Sequence, residues 1–315
     1  MLGAAWLLIS LPLVAARTDC PGEIPVLGLG SQEMSNAYWN VPGELAGHVD
    51  VVNGSIVAYM KGRTYFSSEC HAGSFNNSLY SAINFLGKRL RWTTDLSMAG
   101  CGCNAALYLT SLQQNTEISG CDDYYCDANS VCGVRCAEID LQEANMYAWH
   151  STLHVEDDGS GIGAGYGGGG SNWNGPREWT KEQYGPNGNC ISTTRPFQVN
   201  IGFPVDDAGQ LVAMTVELSQ IAGTERCALS TEVRTADYTF GGRSSTKITA
   251  ELTRAFEAGM APIISYWSSD QMLWMDGTGA DGLGPCWQDD ASACGESVSF
   301  YDFVLEPLDF TTLYP

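Results

Sequence analysis

The chain has 315 residues and carries 15 Lys and Arg against 36 Asp and Glu, a formal net charge of −21. That balance excludes nucleic acid as a partner, because no basic patch exists to meet phosphate. The length exceeds a usual domain, yet large β-sandwiches run this long as one unit, and no Pro/Ser/Thr-rich linker or internal repeat divides the chain.

An apolar run from Ala4 to Ala16 opens the chain. It is shorter than the ~20 residues of a membrane span. Val14-Ala15-Ala16 offers small residues for a signal-peptidase cut before Arg17. Residues 1–16 therefore read as a secretory signal and 17–315 as a single domain, secreted, monomeric and not membrane-bound. The 12 cysteines fit that compartment, since an even number in a secreted chain reads as disulfides. Their spacings lack the paired Cys-x-x-Cys units and nearby histidines of a zinc site. No metal or organic cofactor is expected. Asn53-Gly54-Ser55 and Asn76-Asn77-Ser78 are glycosylation sequons.

Short apolar or alternating stretches bounded by Gly, Asn, Asp and Pro predict many strands. They include Val51–Tyr59, Ala105–Leu112, Gln210–Leu218, Ala261–Trp267 and Val298–Leu305. One helix is expected over Thr246–Met260, where Ile248, Leu252 and Phe256 recur every four residues and Gly259 is a stop. The glycine-rich stretch Gly159–Gly170 lacks the Lys-Ser/Thr ending of a phosphate loop and reads as a long flexible loop. Asp157-Asp158-Gly159 lacks the spaced ligands of a calcium loop.

The most informative segment is Cys136-Ala137-Glu138-Ile139-Asp140-Leu141-Gln142-Glu143. On a strand, Glu138 and Asp140 share one face, with Ile139 and Leu141 turned into a core. Glu143 is an odd number of residues from Glu138, so a regular strand would turn it away. A β-bulge adds one residue and re-aims it. Three crowded acids hold at least one pKa up. A proton-holding acid beside an ionised carboxylate is what double-displacement glycoside hydrolysis requires. A chance acidic strand is the competing reading of this segment alone.

Flanking motifs bear on that choice. Asp95-Leu96-Ser97 with Cys101-Gly102-Cys103-Asn104-Ala105-Ala106-Leu107-Tyr108 resembles the Asp-Val-Ser…Cys-Gly-x-Asn-Gly-Ala-Leu-Tyr signature of glycoside hydrolase family 7, the cellobiohydrolases and endoglucanases. The acidic segment is similar to that family's Cys-x-Glu-x-Asp-x-x-Glu-Ala-Asn element. Thr152-Leu153-His154, Tyr184-Gly185-Pro186 and Ser265-Tyr266-Trp267 with Met272-Leu273-Trp274-Met275-Asp276 follow in the family's order. The first eighty or so residues match poorly, and Val155-Glu156 stands where the family has Pro-Cys.

The resemblance implies a concanavalin A-like, all-β sandwich of two large antiparallel sheets, one curved into a substrate cleft. It implies retaining hydrolysis of β-1,4-glucan, with Glu138 as nucleophile and Glu143 as acid/base. Asp140 would hydrogen-bond Glu138, and His154 would support Glu143. Asn104, Tyr108, Asp127 and Asn129 would line the cleft, Trp267 and Trp274 would stack on sugars, and Arg177 would contact the product end. It also implies disulfides Cys101–Cys286 and Cys126–Cys136. The short chain favours an open cleft and endo-type cutting. A family 16-like β-glucanase and a lectin-like polysaccharide-binding protein on the same sandwich are the alternatives.

Overall fold

The structure is a computed structural model, described here for residues 18–168, 178–277 and 284–308. Among the described residues two large antiparallel sheets dominate. The eight-stranded sheet runs Gly22–Val26, Gly30–Asn36, Gly62–Ser67, Ala261–Ser268, Cys103–Thr110, Glu138–Ala144, Trp149–His154 and Ile162–Tyr166 in space. The seven-stranded sheet runs Glu225–Arg234, Ala213–Ala222, Phe197–Gly202, Lys88–Asp95, Ser297–Pro307, Ser55–Tyr59 and Val49–Val52.

Alternation decides which side chains the sheets bury between them. Leu107, Leu109, Ile139 and Leu141 from the first sheet meet Leu90, Trp92, Val199 and Met214 from the second in one core. A second, smaller core lies on the other face of the eight-stranded sheet. There Tyr65, Ala106, Tyr108 and Ile263 pack beneath Tyr125, Cys121 and Cys132. The helix spans Ser245–Ala258 and buries Ile248, Leu252 and Phe256, as its four-residue spacing predicts. Phe256 packs against Phe85 and Phe203, so Phe256→Ala would cost about 3–5 kcal/mol. Gly259 ends the helix at φ 94°, and a Cβ there would stand 2.7 Å from the Ala82 backbone.

Two expectations need correction. The stretch read as one strand, Val51–Tyr59, is a hairpin of Val49–Val52 and Ser55–Tyr59. Asn53 and Gly54 both have positive φ, 52° and 79°, as a type I′ turn requires. The glycine-rich stretch is not wholly loop, because Ile162–Tyr166 pairs with Trp149–Leu153 as the edge strand. A Cβ at Gly165 would lie 2.0 Å from the Trp149 carbonyl, so glycine there permits the pairing. The secretory-signal reading of residues 1–16 lies outside the described residues.

All 12 cysteines are paired. Cys101–Cys286 and Cys126–Cys136 form as expected. Cys20–Cys70, Cys103–Cys294, Cys121–Cys132 and Cys190–Cys227 complete the set. Six disulfides fit a secreted protein. Among the described residues no helix is long and apolar enough to cross a membrane.

Candidate active site

The acidic strand Glu138–Ala144 lies between Cys103–Thr110 and Trp149–His154. Asp140 faces Tyr108, but Gln142 faces Leu107, so one extra residue sits on the acidic strand. The same slip appears on the other side, where Asp140 faces Thr152 and Glu143 faces His150. This is the bulge that the sequence spacing requires. Leu141 and Gln142 both turn toward the inter-sheet core, and Glu143 returns to the face of Glu138 and Asp140. A buried polar side chain in that core needs partners. Gln142 accepts from Trp92 Nε1 at 3.2 Å and donates to the Ala105 carbonyl at 3.1 Å. Sequence reading assigned it no role.

The three acids open onto two adjoining cavities of about 590 and 510 Å³, both lined by Glu138, Asp140, Glu143, Asn129 and Trp267. Tyr108 and Asp127 line the first, while His154 and Trp274 line the second. Trp267 and Trp274, both partly exposed, therefore stand along the groove that the acids divide. Asn104 is fully buried beside it and donates from Nδ2 to Glu143 Oε1 at 2.9 Å. Arg177 lies outside the described residues.

Two expected contacts are replaced by others. Asp140 Oδ2 pairs with His154 Nε2 at 2.9 Å rather than hydrogen-bonding Glu138. His154 therefore supports Asp140 rather than Glu143, and its other ring nitrogen meets the Asp158 carbonyl. Register explains why Glu143 is passed over: it lies opposite His150, four residues from His154, whereas Asp140 is diagonal to His154 across the ladder, opposite Thr152. Glu138 Oε2 instead accepts from the Ala128 N–H at 3.1 Å. Tyr125, unassigned by the sequence reading, shares a 3.0 Å hydroxyl contact with Tyr108.

Electrostatics follow from burial and crowding. Burial first, then the charges of Asp140 and Asp127, push Glu138 well above the ordinary carboxylate range. Burial and the Asp140 charge push Glu143 up to about 8, against the pull of the Asn104 amide. Burial raises Asp127 as well. Burial alone would lower His154, but the Asp140 carboxylate outweighs it and the imidazole is raised. Crowded carboxyls of this kind titrate as a unit, so an acid and an ionised partner coexist over a broad pH range.

Glu138, Asp140 and His154 place ligand-type atoms within 4.8 Å of one another. Within this group His154 Nε2 pairs with Asp140, and its Nδ1 meets the Asp158 carbonyl. The other such group, Cys101, Asp276 and Cys286, has its two sulfurs joined in a disulfide.

No family model matches the chain. Endoglucanase EG-1 of Hypocrea jecorina is 27% identical over 244 residues, 66% of this chain and 48% of that protein. The chain thus spans about half the length of that curated relative. Among solved structures, an endoglucanase I complexed with cellobiose superposes with a TM-score of 0.61 at 16% identity, covering 95% of this chain and 99% of that one. A GH7 family cellobiohydrolase from Daphnia pulex gives 0.63 at 16% identity, covering 94% and 98%. The chain is thus similar in sequence to an endoglucanase and shares the fold of these solved enzymes, one of them a GH7 family cellobiohydrolase.

Proposed function

We propose that this chain is a secreted glycoside hydrolase that cleaves β-1,4-glucosidic bonds in cellulose or related β-glucans with retention of configuration, cutting within chains. One observation carries the reading. A bulge puts Glu138, Asp140 and Glu143 on one groove face, where burial and mutual repulsion hold both glutamates above the ordinary carboxylate range. Glu138 is the nucleophile and forms the glycosyl-enzyme. Glu143 protonates the leaving oxygen and then activates water. Asp140, paired with His154, lies between them along the strand and adds its repulsion to the burial that raises both. Trp267 and Trp274 offer flat apolar faces to sugar rings, while Asn104, Tyr108, Asp127 and Asn129 meet hydroxyls. Arg177 is assigned to the product end. The endo mode is supported by the name of the Hypocrea relative.

The test is release of reducing ends from carboxymethyl-cellulose, lichenan, laminarin and xylan. Activity on β-1,4-linked substrates is expected, with a fast fall in viscosity per bond cut. Glu138→Gln should abolish turnover. Glu143→Gln should slow polymer hydrolysis severely, yet spare aryl glycosides whose leaving groups need little protonation. Proton NMR of the first-formed product should show the β-anomer, and the α-anomer would exclude the covalent route.

A further inference from the structure

The groove does not cross the whole eight-stranded sheet. Its floor comes mainly from four adjacent strands, Ala261–Ser268 through Trp149–His154, with Trp274 toward one end, and from the next strand only the buried Arg63 reaches its lining. Beyond the other end lies the next strand, Gly62–Ser67, which turns Arg63 and Tyr65 to the same face. Protein covers both. Tyr65 is fully buried, donates its hydroxyl to Asp123 Oδ2 at 2.6 Å, and meets the Tyr80 ring edge-on at 5.2 Å. The Arg63 guanidinium lies 3.9 Å from the Tyr125 ring centroid and donates to the carbonyls of Trp39 at 2.8 Å and Asn40 at 3.0 Å.

Arg63 therefore ties two segments onto this strand. One is the short hairpin of Trp39–Val41 and Glu44–Leu45. The other is the loop closed by Cys121–Cys132. The two also hold each other. Trp39 Nε1 donates to Asp122 Oδ2 at 2.7 Å, and a Cβ at Gly120 would stand 3.3 Å from Pro42 Cγ. On the groove side of this wall Asn40 Nδ2 donates to Glu44 Oε2 at 2.7 Å and Lys61 Nζ to Glu44 Oε1 at 2.6 Å. All three line the cavity that holds the acids. The Lys61 and Glu44 side chains are 47% and 40% exposed. A pair so exposed adds little to folding.

We propose that this wall ends the substrate groove on its Trp267 side, and that Glu44 and Lys61 are specificity-determining residues that hold the last bound sugar. The inference rests on the reading of the groove as a β-1,4-glucan site. Neighbouring strands lie about 4.8 Å apart, close to the advance of one glucosyl unit, so four strands seat roughly four units. A sugar at the wall presents hydroxyls that both donate and accept. The carboxylate and the ammonium are their charge-assisted complements. A longer chain leaves the groove over the hairpin into solvent and gains no further contact.

Chain-length dependence tests this. The specificity constant kcat/KM is measured for cellotriose through cellohexaose and for an aryl β-cellobioside, which is too short to reach the wall. It should rise to about cellotetraose and then level off. In the Glu44→Ala/Lys61→Ala double variant the ratio of cellotetraose to aryl cellobioside kcat/KM should fall roughly tenfold, mainly through KM. A steady rise from cellotetraose to cellohexaose would overturn the proposal, and so would an unchanged ratio in the double variant. If the wild-type protein turned over none of these substrates, the glucanase reading itself would fall, and this inference with it.

Discussion

At Asp140 one charge acts on every other member of the site. After burial, which is the larger cause, it lifts Glu138 and Glu143 by repulsion, and it raises His154 by attraction. Asp140→Asn removes all three effects while keeping the shape of the side chain. With less repulsion Glu143 gives up its proton earlier, so the alkaline limb of kcat/KM should move from near pH 8 to lower pH by roughly one unit. The acid limb should move down with it, because Glu138 ionises more readily. A pH profile on an aryl cellobioside measures both limbs. An alkaline limb that stayed fixed or moved upward would disprove a contribution of Asp140 to the shift. The alternation of acids with Ile139 and Leu141, and the odd offset of Glu143, made the strand and its bulge legible in sequence. The partner of His154 was not, because it depends on the pairing register between two strands and on a diagonal contact to Asp140 across it. Gln142 was hidden for a related reason: a bulge turns two successive residues inward, and the second happens to be polar.

At the scale of elements, sequence signals were present more often than they were read. Asn53-Gly54 between alternating apolar residues is a strong hairpin signal, yet within Asn-Gly-Ser it was read only as a sequon. The glycine-rich stretch concealed a strand because its glycines serve close backbone approach rather than freedom. The short helix Leu273–Asp276 shows what composition cannot convey. Asp276 Oδ2 accepts from the Gly102 N–H at 2.9 Å and from Asn145 Nδ2 at 2.5 Å. Burial, helped by the charge of Asp289, raises Asp276 to about 7. Its folded pKa is thus above the unfolded value near 3.9. The native state binds the extra proton, so the stability from this group is fully present below about pH 4 and is lost as pH climbs to about 7. Asp289→Asn removes the like charge and should flatten that decline by on the order of 1 kcal/mol. Guanidinium unfolding of wild type and variant at pH 4 and pH 7 measures it. An equal or steeper decline in the variant would remove Asp289 as the cause.

Over the whole molecule, the sheets and acids were readable because alternation and spacing are local. The wall at the end of the groove was not, because Arg63 meets Trp39, Tyr125 and Cys132 only once distant segments fold together. Long-range covalent ties have the same character. Cys101–Cys286 and Cys103–Cys294 join points 185 and 191 residues apart, and they lie side by side. Each alone would restrict the unfolded chain by about 5 kcal/mol under the loop-entropy rule. They do not act independently, however. With one bridge in place, the other closes only a ring of about ten residues, worth roughly 3 kcal/mol. Removing either pair by Cys→Ala substitution should therefore cost about 3 kcal/mol, whereas removing both should cost about 8 kcal/mol, more than the two single losses combined. Guanidinium unfolding of the three variants under oxidising conditions supplies the comparison. Losses that simply add would mean the two bridges constrain separate parts of the unfolded chain, contrary to their placement on either side of Gly102.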